Sequence, residues 1–175
     1  MAAPHPRLVG RGDRRQGRDE PRRRRQPCAG NDRFHRRHVP GGKERDRLVF
    51  GGTVDVCFFP ARDTYIPDMV IAHAKRGMWG KSIRSEHVLL VGEIVSAGSV
   101  EEDRERKPLA AAWARIPVML LIDPFAGPPS VTVHSDPVDG VYKQSVRAEL
   151  GATVQLPKPV DVDLDTSIFI HHEEA

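Results

Sequence analysis

Residues 88–95, Val-Leu-Leu-Val-Gly-Glu-Ile-Val, constrain the fold of this chain more than any other stretch. A nearly continuous apolar run of strand length must be covered on both faces, so it requires a central strand with layers above and below it. One residue breaks the run. Glu93 lies inside it, and an isolated ionised carboxylate is very costly in apolar surroundings unless it gains a cation, a proton or a metal. Strand alternation groups Glu93 with Leu89, Val91 and Val95 on one face, and Leu90, Gly92 and Ile94 on the other. A carboxylate in that setting is a candidate for function.

The neighbouring segments supply the layers. An apolar patch at 48–50 meets a turn at Gly51-Gly52, followed by a predicted strand over 53–59 and a loop over 60–64. Asp68 leads into a short buried strand at 69–71. Residues 74–87 are polar and contain glycine, so they read as a connection. A helix is predicted from 100 to about 115. Ser99 and Glu102 have capping-box spacing, while Glu101, Glu102 and Asp103 suit the positive end of the helix dipole. Pro108 falls inside this helix and predicts a kink. Asp103 and Lys107, four residues apart, share a helical face. A second buried strand at 118–122 is closed by Asp123-Pro124. Segments 131–134 and 141–146 alternate around Asp139-Gly140 and predict a hairpin. Residues 153–156 add a short edge strand, and 160–164 alternate apolar residues with acids. The expected class is α/β, a mixed β-sheet with a packed helix.

The 175 residues have room for one ordinary domain. Charge divides them unevenly. Residues 1–47 carry fifteen Lys/Arg against six Asp/Glu, whereas 48–175 carry twelve against eighteen. Residues 1–46 show no apolar periodicity and include an arginine run at 22–25. They are expected to be a disordered basic segment, because too little apolar surface is present to offset ordering entropy. They read as a basic arm on nucleic acid, as a solvated tail, or as out-of-frame translation of a GC-rich gene. The domain proper is expected over 47–170, with a tail at 171–175.

Cys28 and Cys57 are too few and too far apart for a disulfide framework or a zinc site. Cys57 reads as a small core residue. No apolar stretch is long enough to span a bilayer and no secretory signal opens the chain, so a cytoplasmic protein without a membrane partner is expected. His73, His87 and His134 lack spacing partners. His171-His172 read as a frayed tail, and Trp79 and Trp113 as packing residues.

In order along the chain stand Pro67-Asp68, Glu93-Ile94-Val95-Ser96, Asp103, Lys107-Pro108, Ile116-Pro117 and Ile122-Asp123-Pro124. This ordered set resembles the Uma-type putative restriction endonuclease family, a bacterial branch of the PD-(D/E)xK nuclease superfamily, over about residues 48–170. The resemblance implies a restriction-endonuclease-like core and a metal-dependent endonuclease that hydrolyses DNA phosphodiester bonds. It implies that Asp68, Glu93 and the backbone carbonyl of Ile94 hold Mg²⁺ or Mn²⁺ through oxygen. Val95 stands where a lysine two places after the acid is usual, and Lys107 resembles the lysine that has migrated to the following helix. Asp103 would position Lys107, so Asp68, Glu93, Asp103 and Lys107 form the expected catalytic set. Ala111 replaces an aromatic residue of the family pattern, and Met119-Leu120 replace an aromatic pair. DNA is the expected partner, and a homodimer is left open. The alternative is a catalytically degenerate domain of the same fold, acting as a binding module or surviving as a truncated remnant.

Overall fold

The computed structural model describes residues 46–170. The carboxy-terminal tail and, apart from Asp46, the disordered segment expected from sequence, with Cys28 and His171-His172, lie outside the described residues.

A mixed six-stranded sheet forms the centre. Its strands are β1 (Arg47–Gly51), β4 (Met69–His73), β7 (Val88–Ile94), β8 (Val118–Asp123), β9 (Ser130–Val138) and β10 (Val141–Glu149), adjacent in that order. Within this sheet only β7 and β8 pair in parallel. The crossover between them carries a helical segment ending in α1 (Lys107–Trp113), as a parallel connection requires. β7 is central, and every residue from Val88 to Glu93 is buried.

Two apolar layers cover the sheet. On one face, Val70, Val91 and Met119 pack with Ala111, Ala114 and Ile116 from the helical crossover and with Val56, Phe58 and Ile83. Those last three belong to a four-stranded sheet built from β2 (Val56–Phe58), β3 (Asp63–Tyr65), β5 (Met78–Trp79) and β6 (Ser82–Arg84). On the other face, Leu90, Leu120, Ile122 and Val133 pack under Val154, Leu156 and Val160. These come from the ribbon of β11 (Thr153–Leu156) and β12 (Val162–Asp165) and from the turn between them. Arg47 ties this unit to edge strand β1, donating to the carbonyls of Pro159 (2.6 Å) and Val160 (2.7 Å).

Several expectations need correction. The strand expected over 53–59 is ordered as a strand only at Val56–Phe58. The supposed loop at 60–64 gives way to β3, and the supposed connection at 74–87 contributes β5 and β6. These strands are two or three residues long, too short to show alternation. β11 pairs with β12 and does not extend the main sheet. Leu89 does not share a face with Glu93, because Ile71 pairs with Leu90 while Ala72 pairs with Val88. Leu89 is the extra residue of that bulge, and it packs with Leu90. Trp79 and Trp113 pack as expected but at the surface, 48% and 63% exposed, Trp79 edge-on to Phe59 and Trp113 beside Gly140. Cys57 is buried, as expected.

Candidate functional site

Strand register brings the first two acids together. Met69 pairs with Gly92 across β4 and β7, and one further step of that antiparallel ladder sets Asp68 beside Glu93. Asp68 anchors itself there: its Oδ2 accepts a hydrogen bond from the Ile94 amide at 2.8 Å. Glu93 faces the helical layer and is only 5% exposed.

The helix supplies the other two residues. It continues from Val100 to Trp113, but Glu102–Arg106 form a π-helical turn. The Lys107 amide donates to the Glu102 carbonyl, five residues back. Pro108 explains the widening, since its ring crowds the carbonyl four residues earlier and it has no N–H to donate. The expected kink is thus taken up as a π turn. The expected capping box does not form: Ser99 Oγ hydrogen-bonds the Asp103 carboxylate, and Glu102 pairs with Arg106 at 3.0 Å.

Lys107 joins the two halves. Its Nζ donates to Glu93 Oε2 at 2.7 Å and lies 2.7 Å from Asp103 Oδ1 as an ion pair. Asp103, 1% exposed, is held at its other oxygen by the Ser99 hydroxyl and the Ser96 amide (3.2 Å). Ser96 and Ser99 hydroxyls are 2.7 Å apart. All four residues singled out from sequence therefore converge on one place at the end of β7.

Charge is set by this geometry. Burial pushes Glu93 up to about 7, with the negative charges of Asp68 and Asp103 adding to the rise and Lys107 opposing it. Burial would also raise Asp103, but Lys107, the Ser99 hydroxyl and the Ser96 amide outweigh it and hold its pKa below the usual range. Lys107 is depressed by burial yet raised overall by its two carboxylate partners. Lys107 and Asp103 are thus locked as charged groups, and Glu93 is the one of the three poised near neutrality.

The donor chemistry suits a hard divalent cation. Asp68 Oδ1 and Glu93 Oε1 accept no hydrogen bond among the described residues. The described residues contain no group of three or more His, Cys, Asp or Glu side chains placed to hold a metal. Ligation at this site would accordingly rest on two carboxylates and main-chain oxygen.

A second charged pair lies next to the first. Arg104 grips Asp123 with two hydrogen bonds, Nε to Oδ2 at 2.7 Å and a terminal amine to Oδ1 at 3.1 Å. Sequence reasoning read Asp123 as the close of a strand and as part of the ordered motif set, not as the partner of an arginine. The available signal was the one used for Glu93, a carboxylate ending an apolar run.

Residues 33–168 match the model of the Uma2 family, described as a putative restriction endonuclease. The chain belongs to this family. No curated protein matches it. Among solved structures, the fold is similar to that of a putative nuclease belonging to DUF820 from Anabaena variabilis ATCC 29413, with a TM-score of 0.51 and 17% identity. That likeness covers 71% of this chain and 68% of the other. The architecture is thus the nuclease-like mixed sheet with a packed helix. Among the described residues, no helix is long and apolar enough to cross a membrane.

Proposed function

We propose that this domain is a metal-dependent endonuclease acting on DNA phosphodiester bonds, with Asp68, Glu93, Asp103 and Lys107 as its working residues. The observation that carries this reading is the Lys107 ammonium held between Glu93 and Asp103, next to an Asp68 carboxylate fixed on the backbone at Ile94. Asp68, Glu93 and the Ile94 carbonyl are the oxygen donors for Mg²⁺ or Mn²⁺. When bound there, such an ion stabilises charge developing on the phosphate and lowers the pKa of water.

The remaining work belongs to the chain. Asp68 is pre-oriented by the Ile94 amide and does not have to be ordered on binding. Lys107 presents its ammonium beside the metal donors, where it can orient the attacking water and oppose charge on the phosphate. Asp103 is a positioning residue that fixes Lys107, and Ser96 and Ser99 fix Asp103 in turn.

A second reading, a catalytically degenerate module that binds without cutting, is favoured by the charge of the body. Residues 48–175 hold eighteen acids against twelve bases, whereas proteins that act on polyanions generally present a basic face. Cleavage assays on plasmid and linear DNA with Mg²⁺ or Mn²⁺ separate the two. The enzyme reading expects wild-type cleavage that Asp68→Ala or Glu93→Ala abolishes while cooperative unfolding persists. Equal rates in wild type and both variants would refute the assignment, and no cleavage by any of them would support the binding module.

A further inference from the structure

The strand register extends the candidate site across the sheet. Glu93 pairs with Leu121, Leu121 with Thr132, and Thr132 with Arg147. Residues paired across a sheet point to the same face, so these four form one row beneath the helical layer. From β7 to β10 the row spans three strand spacings, about 14 Å. One spacing from Glu93 a cleft of about 520 Å³ opens on this face, lined by Leu121, Thr132 and Arg147 of the row and also by Arg104, Phe125 and His134. Its size suits one ligand unit.

Among the described residues its lining combines a free cation, an exposed ring and polar groups. Arg104 is neutralised by Asp123 on the cleft wall. Arg147 has no ion-pair or hydrogen-bond partner among the described residues, so its guanidinium is available to a phosphate. Glu149, two residues further on β10, does not line the cleft. Phe125 stands exposed at the turn after β8 and offers a ring to a base. Thr132 adds a hydroxyl, and His134, whose ring stacks on Tyr142, adds a ring nitrogen. An acidic body repels a polyanion, so nucleic acid must make contact where a cation is uncompensated.

We propose that this cleft holds a nucleotide of the DNA strand beside the phosphodiester presented to Glu93, with Arg147 on a phosphate and Phe125 against the base. The assignment rests on the nuclease reading for its substrate, but its test needs no cleavage. Binding of a fluorescently labelled oligodeoxynucleotide is measured by anisotropy in EDTA, over a range of salt, for the full chain. Arg147→Ala should weaken binding about fivefold or more and lower the salt slope by about 0.7–0.9, the loss of one phosphate contact. Phe125→Ala should weaken single-stranded binding by a similar factor with the slope unchanged. Lys158→Ala, on the β11–β12 unit across the sheet, should match wild type. Wild-type affinity and slope in Arg147→Ala, or no oligonucleotide binding by the wild type, would overturn the proposal. Failure of the nuclease reading shows itself separately, as Glu93→Gln and wild type cleaving alike while the binding differences remain.

Discussion

Glu93 is the residue on which structure and chemistry meet. Without metal its buried carboxyl titrates near 7, against an ordinary value of 4.5. A group whose folded pKa lies above its unfolded value binds the extra proton in the folded state. Its stabilising effect is therefore fully present below about 4.5 and is lost as pH rises through about 7. In EDTA, the stability of wild type relative to Glu93→Gln should fall across that window by up to about 1.4 kcal/mol per pH unit. Urea unfolding of both proteins at a series of pH values checks this, and parallel profiles would contradict it. The charge on Lys107 does not interfere, because its two carboxylate partners keep it protonated throughout this window.

At the scale of elements, the sequence is most explicit where a turn demands particular residues. Asp139 and Gly140 both have positive φ (51° and 78°), the pattern of the type I′ turn that closes a two-residue hairpin. Gly140 has a second reason to be glycine: a Cβ there would come within 2.1 Å of the Trp113 ring. Gly140→Ala should therefore cost about 1–3 kcal/mol, combining backbone strain with the displacement of Trp113. Chemical denaturation measures this loss, and an unchanged midpoint would show that the hairpin tip is not held against α1. The helical crossover was legible in part. Its start and the Asp103–Lys107 spacing could be read from residue pattern, whereas the π turn at Glu102–Arg106, set by Pro108, could not.

For the whole molecule, two carboxylates on separate strands become one site only when β4 and β7 are paired. A divalent ion bound by both can act on the folded state alone. Mn²⁺ at roughly 100 times its dissociation constant should raise stability by about 2.7 kcal/mol, seen as a higher melting temperature in wild type and no shift in Glu93→Ala. An equal shift in both proteins would place the ion elsewhere. The β11–β12 unit is a further product of long-range assembly, since Arg47 reaches carbonyls 112 and 113 residues away to fasten it.

The sequence by itself determined the central strand, the buried strand after the helix at 118–122 and the hairpin, and its resemblance to the family pointed to the four residues that converge at the end of β7. The elements rest on local information, an apolar run or a turn dipeptide; Glu93 stood out as a charge among apolar neighbours and Asp103 with Lys107 as an i,i+4 pair, whereas Asp68 joined them only through the ordered motif set. Only the tertiary structure decided that Lys107 bridges Glu93 and Asp103, that Leu89 bulges out of the Glu93 face, and that β2, β3, β5 and β6 form a second sheet. It also placed Thr132 and Arg147 in one row with Glu93. These depend on register between segments distant in the chain, and a change of one residue in register would turn each side chain to the opposite face.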